Sequence, residues 1–393
     1  MKRVLVLNHF AKPPDQPGGN RHFDLFSRLD DWDPRIVAAD RNNMSDQRQR
    51  SSSASPIVYV PTFGGRSSAA RMLGWVTYAL GAFLRGASGQ RPHVVYGSSP
   101  HLLAGLAGLY VARWWRAPFV LEIRDIWPRI LTEMGGMSES NALYRLLQRL
   151  EKYLYRHAHH VVYLAAGNRD YLLGEGVDED RMTFIPNSVA PTKPSIDREE
   201  ARKRLGVDGF IAVYTGAHGK ANGLDLLLDA VEELGQSGHD ITVLLVGDGS
   251  EKGRLIKSAQ TRRLLNVRFM DPVSKRELPD ILVAADVGVH VLADMPLFRH
   301  GVSPNKVMDY MAAGLPVLTN SPGEVGDLVQ DANGGMSCDP FDLARGLSTL
   351  MGLDPSRRLE FGQAGLRFVQ EQRNPDRMAT RLTKVLVAPN ENG

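Results

Sequence analysis

The sequence predicts an α/β chain of two domains, and three observations carry that prediction. Short β-branched runs alternate with amphipathic helical patterns from end to end, the signature of βαβ units around a parallel sheet. The stretch Ile185-Pro-Asn-Ser-Val-Ala-Pro-Thr-Lys-Pro-Ser holds three prolines and no hydrophobic period, so it reads as a linker. A length of 393 residues is too great for one ordinary core and suits two.

In the first domain, residues 1–190, strands are expected at Val4–Leu7, Ile36–Ala38, Ile57–Val60, Val94–Tyr96, Phe119–Ile123 and Val161–Leu164. Each is a short apolar run bounded by polar or turn residues. The second domain, 191–374, repeats the series at Phe210–Tyr214, Ile241–Val246, Val267–Phe269, Val287–Val291 and Pro316–Leu318. From Asp339 onward the pattern is helical, and pattern alone leaves open whether the tail at 375–393 stays with the second domain or packs on the first. The polar run 41–55 has no apolar period and reads as a loop.

Composition excludes several classes. Lys plus Arg number 47 against 44 Asp plus Glu, which is not the footprint of a dedicated nucleic-acid binder. A single cysteine, Cys338, rules out an intrachain disulfide framework and a cysteine-rich zinc site, and suits a reducing cytoplasm. The apolar run Val4-Leu-Val-Leu is too short for a signal-peptide core. No stretch supplies the roughly 20 apolar residues of a spanning helix. The adjacent His159 and His160 suggest metal binding, but neighbours on a strand point to opposite faces, so a structural role is expected.

Four segments could carry chemistry. After the first strand, Gly18 and Gly19 precede a helical pattern, where free N–H groups favour an anion, although a plain turn would look the same. Glu122, Arg124, Asp125 and Trp127 crowd the end of an apolar strand, where open α/β sheets bind ligands, and an Arg–Asp ion pair is the competing reading. In Tyr214-Thr-Gly-Ala-His-Gly-Lys-Ala-Asn-Gly, Gly216, Gly219 and Gly223 bracket His218 and Lys220, so amides and an ammonium can converge on a diphosphate. Gly247 opens a second glycine turn, Gly-Asp-Gly. Finally, Ser303 and Pro304 form an N-cap and N1 pair for a helix through Ala313 that stops at Gly314. Lys306 then lies in its first turn, and Asp309, five residues past the proline, can reach a ribose diol.

These blocks, in order Glu122-Ile-Arg-Asp-Ile-Trp-Pro, Ile185-Pro-Asn-Ser, the glycine loop 216–223, Val246-Gly-Asp-Gly and Gly301-Val-Ser-Pro-Asn-Lys-Val-Met-Asp-Tyr-Met-Ala-Ala-Gly-Leu-Pro-Val, resemble the glycosyltransferase family 4 enzymes of the GT-B type. Within that family they look most like the amino-sugar, N-acetylfucosaminyl-type transferases of O-antigen and capsule assembly. The resemblance implies two Rossmann-like domains facing a cleft and a retaining, metal-independent transfer from a UDP-sugar. It implies no cofactor: the UDP-sugar is a substrate. Asp309 matches the ribose-binding acid, and the nucleotide-sugar contacts implied are Gly18, Gly19, Gly216, His218, Lys220, Asn222, Gly247, Val273, Arg299, His300, Val302, Ser303, Asn305, Lys306 and Asp309. Two positions depart from the family's pattern: Ala217 stands where many members carry Arg, and Gly301 where many carry an acid. In the first domain Asp125 is expected nearest the reacting carbon, with Arg124 and Glu122 orienting it.

The acceptor implied is an undecaprenyl-diphosphate-linked sugar at the inner face of the membrane. The segment Arg71 to Arg85, with Trp75, Tyr78 and Phe83, and the run Tyr110-Val-Ala-Arg-Trp-Trp-Arg are expected to form an apolar surface with basic flanks for peripheral attachment. Ordinary sheet-packing helices are the competing reading. A UDP-sugar epimerase of the same fold, and a degenerate nucleotide-sugar-binding protein, are the rival functions.

Overall fold

The computed structural model describes the chain except residues 14, 17–19, 42–47, 52–54, 66, 134–136, 296–302, 304 and 388–393. Of the expected loop at 41–55, residues 42–47 and 52–54 therefore lie outside the described residues. The chain divides into two compact units: one holds the residues up to Pro186 and the last helix, the other is built on Asn187–Asn374.

The first unit is a seven-stranded sheet in the order β3-β2-β1-β4-β5-β6-β7. Its strands are β1 Lys2–Leu7, β2 Trp32–Ala39, β3 Ile57–Val60, β4 Val94–Ser99, β5 Phe119–Ile123, β6 His160–Tyr163 and β7 Met182–Phe184. All the pairs are parallel, so both faces must be covered, and this is why the strands read as nearly continuous apolar runs. Alternate residues serve the two faces. Leu5, Leu7, Val95 and Leu121 pack with Tyr78, Leu109 and Leu154 from the helices Ser68–Ala87, Leu102–Trp115 and Ala142–His157. Val4, Val6, Ile36 and Val120 face the other way, onto Leu25 and Phe26 and onto Met378, Leu382, Val385 and Leu386 of the terminal helix Pro375–Val387.

The second unit repeats the design in the order β10-β9-β8-β11-β12-β13. Here the strands are β8 Phe210–Thr215, β9 Ile241–Val246, β10 Val267–Met270, β11 Val287–His290, β12 Val317–Thr319 and β13 Gly335–Ser337. The sheet starts at β8, winds outward through β9 and β10, then reverses to β11, the doubly wound pattern whose turning point is the usual ligand crevice. One face carries Leu227, Leu228 and Val231 of the helix Leu224–Gln236, the other Val307, Met308, Tyr310 and Met311 of the helix Asn305–Ala312. The latter helix lies close because β11 has no side chain at Gly288: a Cβ there would sit 2.3 Å from the Tyr310 ring. The Tyr310 hydroxyl in turn accepts from the Thr215 amide at 2.8 Å, tying the helix to the end of β8.

Candidate functional site

The chemistry-bearing residues of the second unit gather beyond the carboxyl ends of β8, β9 and β10. Two glycine loops meet there. Gly216 donates its amide to Val246 at 2.9 Å and Gly247 donates to Met270 at 3.1 Å, so each loop hangs on the next strand. They touch so closely that a Cβ on Gly247 would stand 1.9 Å from the Gly216 carbonyl oxygen, and φ at Gly247 is +150°. Both facts require glycine. The His218 amide donates to the Asp248 carbonyl at 2.8 Å and its carbonyl accepts from Glu251 at 2.9 Å, which zips the loops together.

His218 corrects an expectation. Its ring does not line the surface of the loop but is fully buried, with centroids 6.0 Å from Tyr214 and 6.2 Å from Phe269, and neither ring nitrogen has a hydrogen-bond partner among the described residues. Burial, with the charge of Lys252, brings its pKa down to about 4, so the ring is neutral packing under the loop.

The cation that does face the glycine loops is Lys306. Its ammonium lies over the Tyr214 ring, 4.0 Å from the centroid, and donates to the Tyr214 hydroxyl at 2.8 Å and to Oδ1 of Asn222 at 3.1 Å. Its Cε would be 3.3 Å from a Cβ on Gly216. None of the ion pairs among the described residues involves Lys306, and burial lowers its pKa to about 7. Lys220, by contrast, is exposed on the turn Lys220–Asn222, and Asn305 is exposed at the start of its helix.

Asp309, expected to reach a ribose diol, is paired: Nζ of Lys275 lies 2.6 Å from Oδ1 and 2.5 Å from Oδ2. Lys275 comes from the connection after β10, two residues beyond Val273, which packs on the core beneath. Ser303 is held by Asn187, whose amide donates to its Oγ at 3.0 Å and its carbonyl at 3.1 Å. The described helix is Asn305–Ala312, Pro304 lies outside the described residues, and Gly314 past the helix end takes φ +69°. Arg299, His300 and Val302, like Gly18 and Gly19, lie outside the described residues.

In the first unit Glu122 corrects a second expectation. It does not orient Asp125; it sits inside the domain as the hub of a polar network. Nε of Arg21 (2.9 Å) and the Tyr96 hydroxyl (2.8 Å) donate to Oε2, and Nε2 of His22 (2.8 Å) and the Ser98 hydroxyl (2.8 Å) donate to Oε1. Nδ1 of His22 then accepts from Asn8 at 2.9 Å. Burial pushes the Glu122 carboxyl up, but His22 and Arg21 outweigh it and hold it well below the usual carboxylate range. The Arg21 guanidinium also donates to the carbonyls of Pro186 (2.8 Å) and Ile185 (2.7 Å). Asp125 is exposed and Arg124 half-buried after β5, and neither enters an ion pair among the described residues. Trp127 is packed edge-on to Trp75 at 5.5 Å and donates to the Pro100 carbonyl at 3.1 Å.

Sequence reasoning passed over His9 and Lys12, buried after β1, as well as Arg21, His22, Lys275 and Asn187. Nε2 of His101 donates to Nδ1 of His9 at 3.0 Å, and burial brings His9 down to about 3 and Lys12 to about 8. Arg21 and His22 directly follow the Gly-Gly-Asn turn, a placement that could have flagged them. His159 and His160 hydrogen-bond separately, to the Phe119 amide and the Thr183 hydroxyl. No group of three metal-binding side chains occurs among the described residues.

The helix Ser68–Ala87 brings a third correction. Tyr78 is buried and donates to the Val37 carbonyl at 2.9 Å, Trp75 stacks on His101 and Phe83 packs on the core, so these rings face inward. The exposed stripe is Met72, Leu73, Val76, Leu80 and Leu84, at helical spacing, with exposed Tyr110 and Trp114 on the helix Leu102–Trp115. No helix among the described residues is long and apolar enough to cross a membrane.

Residues 27–188 match the family described as glycosyl transferase 4-like domain, and residues 209–352 match glycosyl transferases group 1. A probable glycosyltransferase, WbjE of Pseudomonas aeruginosa, is 25% identical over 61% of this chain and 61% of its own length. The putative colanic acid biosynthesis glycosyl transferase WcaI of Escherichia coli is 24% identical over 72% of this chain and 70% of its own. The match to WbjE thus spans less than two thirds of that relative. Among solved structures, sucrose-phosphate synthase from Thermosynechococcus elongatus superposes with a TM-score of 0.76 at 17% identity over the whole of both chains. Anabaena Alr3699/HepE in complex with UDP-glucose gives 0.72 at 16% identity, covering 99% of this chain and 100% of that one. With one glycosyl transferase domain model matching on each side of the linker and the doubly wound sheet repeated in both units, the chain has the two-domain GT-B fold.

Proposed function

We propose that the protein is a retaining glycosyltransferase that moves a sugar, an N-acetylated amino sugar, from a UDP-linked donor to a lipid-linked or glycan acceptor in bacterial surface-polysaccharide synthesis. The observation that carries this reading is the grouping of Lys306, Tyr214 and Asn222 against the glycine loops, with Asp309 one turn further along the same helix. Each piece suits part of a nucleoside diphosphate. The ammonium and the amides of the loops meet the phosphates, and the carboxylate accepts from the ribose diol. The likeness in fold to HepE solved with UDP-glucose supports the choice of donor.

The reaction separates a sugar from a diphosphate whose charge grows in the transition state, and preorganised cations and N–H groups stabilise that charge. Lys306, with Lys220 swinging in from its exposed turn, takes that role in this reading, and no metal is required. In the front-face route the departing phosphate oxygen accepts the acceptor's proton while the new bond forms on the side the leaving group vacates, so no protein nucleophile attacks. Asp125, exposed after β5, is assigned to position the acceptor or steady the oxocarbenium-like charge. The stripe on Ser68–Ala87, with Arg71 and Arg85 at its ends and Trp114 nearby, is assigned to peripheral contact with an anionic membrane surface.

The test is product analysis by mass spectrometry with UDP- and GDP-sugars, EDTA and a short-chain prenyl-diphosphate GlcNAc acceptor. A glycosylated lipid formed without metal, and lost in both Asp309→Ala and Asp125→Ala, is the expected result. Isomerised donor without transfer would make the protein an epimerase, and UDP binding with every donor left intact would make it a binding protein.

A further inference from the structure

The Ile185-Pro-Asn-Ser motif reads from sequence as linker, yet its side chain at 187 is buried and engaged. Asn187 is only 5% exposed, and its amide nitrogen makes two contacts to Ser303, at Oγ (3.0 Å) and at the carbonyl (3.1 Å). An amide nitrogen has two protons to give, so both contacts can be made at once. Holding a residue by side chain and carbonyl together fixes its rotamer and the direction of its carbonyl. Ser303 stands two residues before the helix Asn305–Ala312, whose leading turn carries Lys306. The backbone around Asn187 is itself pinned: Arg21 grips the Ile185 and Pro186 carbonyls before it, and the Val189 amide donates to Arg373 at 3.1 Å after it.

We infer that Asn187 is a positioning residue for the phosphate half of the nucleotide site: through Ser303 it sets the entry of the Asn305–Ala312 helix, and with it the aim of the leading N–H groups and of Lys306. The inference rests on the nucleotide-sugar reading given above. It separates the two halves of the ligand. Asp309 lies beyond the first turn and meets the ribose, so loosening Ser303 should weaken contacts to phosphate and leave those to the nucleoside.

The experiment is calorimetric binding of UDP and of uridine to wild type, Asn187→Ala, Ser303→Ala and the double variant, with thermal unfolding of each. Asn187→Ala is expected to weaken UDP by about tenfold while uridine stays within about twofold, the scale of one or two lost hydrogen bonds. Because Asn187 acts through Ser303, the double variant should fall short of the product of the two single effects. Should Asn187→Ala not fold, Asn187→Asp keeps the volume, removes both donors and carries the same expectation. Unchanged UDP affinity, equal losses for UDP and uridine, or fully multiplicative effects would overturn the inference while leaving the nucleotide-sugar reading intact. Wild type that binds no UDP would overturn both.

Discussion

Lys275 closes both oxygens of Asp309 in an ion pair, at 2.6 and 2.5 Å, across 34 residues of sequence. The carboxylate is nearly buried and the lysine less so, with side-chain exposures of 10% and 29%. Removing the lysine therefore leaves a desolvated charge without its partner, and Lys275→Met should destabilise the fold by roughly 1–3 kcal/mol in urea unfolding. The double variant Lys275→Met/Asp309→Asn should recover part of that loss. Asp309→Ala alone should weaken UDP at least about tenfold, since the diol loses its acceptor; unaltered affinity would remove Asp309 from the site.

Lys306 gives nucleotide binding a pH dependence. With burial bringing its pKa down to about 7, the free protein carries the cation below that pH and loses it above. An anionic ligand favours the protonated form, so UDP should bind progressively more weakly as pH rises from 7 to 9, with proton uptake visible as a buffer-dependent binding heat. Lys306→Met should bind UDP weakly and with little pH dependence over the same range.

Glu122 and Arg21 hold the first unit together from within. Arg21→Ala leaves Glu122 charged and buried among groups that were arranged for it, and should cost about 3–5 kcal/mol, the range for breaking one side of a buried pair. Glu122 has its folded-state pKa depressed, so its contribution is complete above the unfolded value near 4.5 and is lost as pH falls through the folded one. Equal stability of wild type and Arg21→Ala in chemical denaturation would contradict the assignment of this network.

Acid should weaken the protein through its buried histidines. Burial depresses His9 to about 3 and, with help from Lys252, His218 to about 4, while the unfolded rings ionise near 6.5. Each ring stabilises the fold fully above pH 6.5, and that contribution declines as pH falls, by at most about 1.4 kcal/mol per unit until the folded pKa is reached. The two rings together outweigh the opposite drift from Glu151, whose carboxyl burial raises to about 7, so unfolding midpoints should drop between pH 7 and 5, and a flat profile there would show that these rings are not buried neutral.

The exposed stripe on Ser68–Ala87 predicts a separation of binding from stability. Leu80 is 60% and Leu84 67% exposed, so Leu80→Glu/Leu84→Glu should shift folding stability by no more than about 1 kcal/mol. The same change should cut sedimentation with phosphatidylglycerol vesicles severalfold, with residual binding lost at high salt. Undiminished sedimentation would place the contact elsewhere.

Much of this protein is legible in the chain alone because its signals are local. The alternation of β-branched runs and amphipathic helices defines the two doubly wound units, the glycines at 216 and 247 announce loops that admit no side chain, and Ser303 to Gly314 brackets a helix whose faces follow from a 3.6-residue period. The three-residue strands β7 and β13 escaped because so short a segment carries no period, only the pairing offered by its neighbour. Tertiary structure alone decided what the polar residues do. Glu122 lies on an apolar strand in either reading, but only the approach of Arg21, His22, Tyr96 and Ser98 makes it the centre of a buried network. Equally, the pairing of Lys275 with Asp309, the burial of the His218 ring and the outward turn of Leu80 rather than Tyr78 depend on elements distant in sequence. Hydrophobic pattern specifies which faces are covered; the partners of a charge are set by which strand ends the topology brings together, and that information is spread over the whole chain.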